Sequence, residues 1–168
     1  VSGLPWMQRN GERWVNPQDP RVHDYLTGIV DELLGFGFDQ VQMDYIRFPS
    51  DGDMDRLYYP VSIDSLKKAD KIGLFLSKVR AVVDRHDASL AVDVFGWVPW
   101  LRKDRDYWIG QDYDVIAAHA DVVCPMLYSS HFPKSFKAEY GPRQAYHIIR
   151  EGTAKGVDRR GKRLTGVQ

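Results

Sequence analysis

What this chain of 168 residues lacks narrows its chemistry first. It has one cysteine, Cys124, so no disulfide forms within it, and an apolar run around that residue makes it a small buried hydrophobe. Lys+Arg and Asp+Glu both number 23, so the formal net charge is zero and no global field draws the chain to nucleic acid or to an anionic membrane. No apolar run reaches membrane-spanning length, so direct membrane insertion is not expected, and no secretory leader is recognisable. The five histidines, His23, His86, His119, His131 and His147, lack ligand spacing such as HExxH, so no metal is expected. The acidic loop around Asp51, Asp53 and Asp55 lacks the spacing and terminal Glu of a calcium loop. No glycine-rich turn opens a helix to hold phosphate, because Gly35 and Gly37 close one. No serine stands in a GxSxG setting, and no cofactor is expected.

What is present is an alternation of helix and strand. Asp19 and Pro20 form a helix start, and Val22, Tyr25, Leu26, Ile29, Val30, Leu33 and Leu34 recur at three-four spacing before Gly35. A strand follows over 41–46. A long polar loop, 47–63, leads to a helix from about Ser65 to Arg85, with Asp64 as its candidate cap. Its apolar face is Leu66, Ala69, Ile72, Phe75, Leu76, Val79, Val82 and Val83. A strand over 90–95, a short helix from Tyr113 to Ala120 and a strand over 121–128 come next. Pro125 is awkward inside the last of these, because it removes a ladder donor. A helix from Arg143 to about Lys155, ending at Gly156, precedes the start of another strand at 164–168. Residues 1–18 read as an aromatic loop without regular structure. The order predicts an α/β fold with a parallel sheet in one domain.

Two strands end alike. Asp44 closes the first and Asp93 lies near the end of the second, each followed by a polar or aromatic loop. Gln42 shares the parity of Asp44 and points to the same side of the pleat. Paired carboxylates at the C-terminal ends of parallel strands suit cleavage of a glycosidic bond, which needs one acid and one base or nucleophile. The plainer readings stand beside this one: Asp44 as a turn cap, and Asp93 in an ion pair with a nearby Arg or Lys. Arg47 either orients Asp44, binds substrate, or lies on the surface of a polar loop. Tyr128, with His131 beyond it, either touches a carboxylate or sugar or is a rim aromatic. Trp97 and Trp100 form a stacking platform or fill the core. Five Trp and nine Tyr supply rings for either role.

Several motifs together resemble a known family. They are Trp14-Val-Asn-Pro17, the run from Gly37 to Asp51 containing Asp44-Tyr-Ile-Arg-Phe-Pro49, Val92-Asp-Val-Phe-Gly-Trp97, Gly110-Gln-Asp112, and Cys124-Pro-Met-Leu-Tyr128 with Ser130-His-Phe-Pro133. Spread over nearly the whole chain, they resemble DUF4015, a glycoside hydrolase-like domain family related to the α-amylase-like and melibiase-like (β/α)8 barrels. The resemblance implies a partial (β/α)8 TIM barrel, with units missing at both ends. It implies Asp44 as the fourth-strand carboxylate, in the nucleophile position, and Asp93 on the fifth strand in the place of an acid. Arg47, Trp97, Gln111, Tyr128 and His131 become the expected substrate-binding residues. A carbohydrate substrate, and an extracellular or cell-envelope location in bacteria, are implied as well.

The competing expectation is a carbohydrate-binding barrel without catalysis. A metal-dependent deacetylase is disfavoured by the histidine pattern. An open sheet of three or four strands exposes edges and one apolar face. The isolated segment is therefore expected to aggregate when expressed alone; a soluble monomer with one cooperative melt would count against a truncated barrel.

Overall fold

The computed structural model describes residues 5–62, 65–101 and 108–160. Four helices and three strands alternate in the expected order: α1 (Pro20–Gly35), β1 (Gln40–Met43), α2 (Lys68–Arg85), β2 (Ser89–Phe95), α3 (Tyr113–His119), β3 (Val122–Met126) and α4 (Gln144–Arg160). The strands form one parallel sheet in the order β1-β2-β3. Gln42 lies opposite Ala91, Met43 opposite Val92, and Asp93 opposite Cys124.

Alternation along β2 divides the sheet into two faces. Leu90, Val92 and Val94 are fully buried against α2 and α3, in a core with Ile72, Leu76, Val79, Val83, Tyr113 and Ile116. Ala91, Asp93 and Phe95 take the other face by the same alternation. The α2 face read from the sequence is buried from Ala69 through Val83. The helix itself begins at Lys68, three residues later than expected, and its N-cap Lys67 makes no side-chain cap bond. The expected cap, Asp64, and the expected strand at 164–168 lie outside the described residues.

Caps set the other helix starts. Asp19 accepts the backbone N–H of Arg21 and pairs with its guanidinium, which holds the Asp19 carboxyl down at about 2. Asp112 accepts the N–H groups of Asp114 and Val115 at the start of α3. The outward side of α1 departs from the sequence reading: Tyr25 is 69% exposed, and Ile29 and Leu33 also face solvent. Pro125 stays inside β3, opposite Val94 of β2. Residues 5–18 are not wholly irregular, since Met7 and Arg13 form an antiparallel bridge.

Gly156 does not end α4, which runs on to Arg160. The Tyr113 hydroxyl donates to the Gly156 carbonyl at 3.0 Å. One turn earlier Gly152 sits against a second cluster of Leu127, Phe132, Ile148, Trp97, Trp100 and Phe136. A methyl group on Gly152 would come within 2.5 Å of Leu127 Cδ2 and 2.8 Å of Trp100 Cη2. Gly152→Ala should therefore lower stability by roughly 1–3 kcal/mol despite alanine's better helix propensity. Gly28 in α1 has no atom within 4 Å of such a methyl. Gly28→Ala should raise stability by about 0.4–1 kcal/mol. Thermal melts of the two variants should move in opposite directions; equal shifts would refute the packing account.

Candidate active site

Strand β1 stops at Met43, earlier than expected, because the backbone turns sharply at its end. Tyr45 adopts φ 57, a left-handed conformation rare for a bulky side chain. The Asp44 carboxylate holds this turn by accepting the Tyr45 N–H at 2.6 Å. Asp44 is nonetheless exposed, so its second oxygen is open to other partners. The cap-like reading of Asp44 and an open carboxylate thus coexist in one residue. A bulky residue in this conformation is a strained arrangement of the kind that clusters at functional sites.

Asp93 is 3% exposed and sits on the face away from the helices. Gln42 reaches across from β1 and donates its amide to Asp93 Oδ1 at 2.8 Å. The Cys124 thiol lies beside it on β3 and donates to the same carboxylate. Burial pushes the Asp93 carboxyl above its ordinary range. The Gln42 and thiol bonds oppose that shift, and the negative charge of Asp44 adds to it. The thiol moves too: burial and the Asp93 carboxylate push Cys124 up to about 11, so it stays a neutral donor. Among the described residues Asp93 makes no ion pair with Arg or Lys.

Arg47 is not a surface residue. It is 7% exposed, with its guanidinium carbon 4.7 Å from the Trp14 ring centre, 5.0 Å from Tyr45 and 4.8 Å from Phe95. Nη1 donates to the Phe48 carbonyl at 3.0 Å and to Ser50 Oγ at 3.3 Å. Burial lowers its proton affinity, while Tyr45, Asp51 and Asp44 partly restore it.

The other expected contacts divide. Gln111, expected to touch substrate, is 1% exposed and gives its amide to the backbone. Its Oε1 accepts the Phe95 N–H at 2.8 Å, and its Nε2 donates to the carbonyls of Ile46 and Asp93, each at 3.3 Å. It is a clamp between strand ends and has no amide hydrogen bond to spare for a ligand. Trp97 packs on Phe132 at 4.8 Å and Phe136 at 4.7 Å, so one side of its ring serves the second core cluster. Its remaining surface lines a small cleft of ≈ 260 Å³ with Phe95, Leu101, Trp108 and Ile109. Tyr128 is 43% exposed beyond the end of β3, with the exposed His131 edge-on to it at 5.2 Å. The structure thus gathers Asp44, Asp93 and Arg47 at one end of β1 and β2 and leaves Tyr128 and His131 on an open rim. Among the described residues no three His, Cys, Asp or Glu side chains converge as a metal site would require.

Sequence reasoning passed over Gln42 and Cys124 as members of the site. Gln42 was findable, since it shares the parity of Asp44. Cys124 needed the register of β2 against β3. A cleft of ≈ 430 Å³ lies between Trp14, α1, α2 and the Tyr45–Arg47 turn, and Asp93 does not line it.

A family model described as "Putative glycosyl hydrolase domain", DUF4015, matches residues 1–167. The chain belongs to the DUF4015 family. Two solved structures share the fold of this DUF4015 domain. One is the spore cortex-lytic enzyme SleL of Bacillus megaterium QM B1551, at 16% identity and a TM-score of 0.58 over 90% of this chain and 30% of that one. The other is the PgaB (BpsB) glycoside hydrolase domain of Bordetella bronchiseptica, at 16% identity and a TM-score of 0.60 over 96% of this chain and 52% of that one. The chain therefore spans about a third and about half of those chains. A comparison with curated proteins gives no match.

Because Asp93 holds its proton more tightly when folded, the native state loses stability relative to the unfolded chain as pH rises through the interval between the two carboxyl values. Asp93→Asn keeps an acceptor for Gln42 and removes that loss. The variant should melt higher than the wild type at pH 7, and the gap should close as pH falls into the ordinary carboxylate range. A lower melting point at pH 7 would mean that Asp93 is stabilised as a charge.

Proposed function

We propose that this domain hydrolyses glycosidic bonds, with Asp93 as the general acid and Asp44 as the nucleophile or base. The observation that carries this reading is the contrast between two carboxyls on one side of one sheet. Asp93 is buried, which raises its proton affinity, and lies near an exposed Asp44. Two carboxyls in unlike surroundings, one buried and one open, are the arrangement that glycoside hydrolysis uses. Asp93 would protonate the departing glycosidic oxygen. Asp44 would attack the sugar carbon or take a proton from water on the opposite side of the ring. A carboxyl separation of about 5–5.5 Å in the substrate complex would give retention, and about 6.5–9.5 Å inversion. No step needs a metal or a cofactor. Trp97, Tyr128 and His131 are proposed to meet the sugar along the rim.

Family membership supports a carbohydrate substrate. One structural neighbour is described as cortex-lytic, and this favours a polysaccharide of the bacterial envelope or its surroundings as target. We further propose that β1 to β3 are the middle of a (β/α)8 barrel. In its support, both β1 and β3 are edges of the described sheet. The outer helices also carry exposed apolar residues: Tyr25, Ile29 and Leu33 on α1, and Tyr146, Ile149 and Val157 on α4. Neighbouring barrel units would cover them.

In the protein as encoded, Asp44→Asn and Asp93→Asn should each lower polysaccharide hydrolysis by about 10²–10⁴-fold. Asp93→Asn should recover on aryl glycosides whose leaving groups need no proton, and it should lose the alkaline limb of the pH profile. Asp44→Asn should not recover on those substrates. Sugar binding by wild type and variants, with hydrolysis by none of them, would instead identify a carbohydrate-binding barrel.

A further inference from the structure

Gln42 gives its side chain to the candidate acid. Its Nε2 donates to Asp93 Oδ1 at 2.8 Å, the one side-chain hydrogen bond it makes among the described residues. β1 pairs Gln42 with Ala91, two residues before Asp93 on β2. The amide therefore reaches the carboxyl from the N-terminal side of the strands. Gln42 is exposed, while the carboxyl it holds belongs to a residue that is 3% exposed. Its contact is with one oxygen only, so Oδ2 stays free of the amide.

The direction of the amide decides what the acid can do. With Nε2 toward Oδ1, that oxygen accepts, and the proton of neutral Asp93 resides on Oδ2. With the amide reversed, Oε1 would face Oδ1, and two acceptors meet only when Oδ1 carries the proton. That proton would be engaged by Gln42 and withheld from a leaving group. The donor arrangement also strengthens as the acid works. The Oδ2–H bond breaks, the proton passes to the glycosidic oxygen, and the sugar C–O bond breaks behind it. Asp93 is left as a carboxylate, to which an N–H bond is shorter and stronger than to a neutral oxygen. The other groups near the carboxyl supply less. Asp44, at the end of β1, has like charge and disfavours the carboxylate. Cys124, opposite Asp93 on β3, offers a weak thiol donor. Arg47 is turned to the Phe95 ring, 4.8 Å from its centre, and among the described residues no cation pairs with Asp93.

We propose that Gln42 is the positioning residue of the acid: its Nε2–H holds Asp93 Oδ1 and leaves Oδ2 to carry the proton to the leaving oxygen. The proposal rests on the glycoside-hydrolysing reading above and adds a residue to its machinery. The test follows the Asp93 carboxyl carbon and the Gln42 side-chain amide by nuclear magnetic resonance across pH, in the protein as encoded. One Nε2–H resonance of Gln42 should move downfield as Asp93 ionises, with the same midpoint. Gln42→Met keeps the length of the side chain and removes the donor, so the Asp93 midpoint should rise by about one pH unit. The alkaline limb of kcat/KM should rise by the same amount. A structural role alone would not set the sign of that shift. A midpoint that falls or stays in Gln42→Met overturns the proposal, because a fall means that the amide accepts from the acid. If the variant does not fold, the amide resonance of the wild type decides: no movement with Asp93 ionisation overturns the proposal. A raised midpoint with an unmoved alkaline limb sinks Asp93 as the acid and leaves the Gln42 donor standing. A midpoint that does not move, in a protein whose alkaline limb still follows Asp93, sinks this proposal alone.

Discussion

The amide of Gln111 fixes the end of the sheet where the candidate chemistry lies. One buried side chain bonds the backbone of Asp93 and Phe95 on β2 and the carbonyl of Ile46 just beyond β1. A buried amide with its bonds made holds its neighbours firmly, and breaking one bond strands a polar group away from water. The distance from the Asp93 backbone to the turn after Asp44 is therefore not free to drift. The second backbone tie of this region runs from the Phe48 N–H to the Ile109 carbonyl at 2.8 Å. Together they fasten the segment 46–48 to the segment that leads into α3. The positions of Asp44 and Arg47, on either side of Ile46, follow from that fastening.

The turn held in this way stores an unfavourable conformation. Tyr45 in the left-handed region is costly for a residue with a large side chain. Three contacts offset it: the Asp44 carboxylate on its N–H, the Arg47 cation on its ring, and Trp14 at 6.4 Å between ring centres. A glycine would take the backbone angle without strain but would forfeit the last two contacts. The aromatic cage around Arg47 and the outward set of Asp44 are thus two results of one sharp turn. The same cage explains how a guanidinium survives burial without a paired carboxylate, since three ring faces act on it at about 5 Å.

Much of the architecture was legible because period and punctuation agreed. The three-four spacing of α2 and the cap Asp19 marked helices that the structure contains. Parity alone put Asp44 with Gln42, and Gln42 meets Asp93. The misreadings share a cause: each depended on a neighbour distant in sequence. Gly156 read as a helix stop, yet α4 runs on past it and its carbonyl accepts from the Tyr113 hydroxyl 43 positions earlier. Gln111 read as a sugar contact, yet its partners are backbone atoms on two strands. Arg47 was open between three roles because local sequence shows three polar neighbours and hides Trp14 and Phe95. The outward face of α1 read as core because an apolar stripe does not say which neighbour covers it.

The surroundings of Asp93 separate two ways of keeping a buried carboxyl. A salt bridge would hold it as an anion and make it useless as an acid near neutral pH. Here its contacts are an uncharged amide and an uncharged thiol, and the charge that acts on it is another carboxylate. Neutral donors fix the direction of the carboxyl and lower its proton affinity less than burial raises it. A cysteine suits this role because a thiol donates weakly and its own proton is held more tightly beside the carboxylate. A lysine at position 124 would reverse the arrangement, ionising Asp93 and leaving two carboxylates with no proton donor between them. The lone cysteine of the chain is thus better understood by the residue opposite it on β2 than by the apolar run in which it stands.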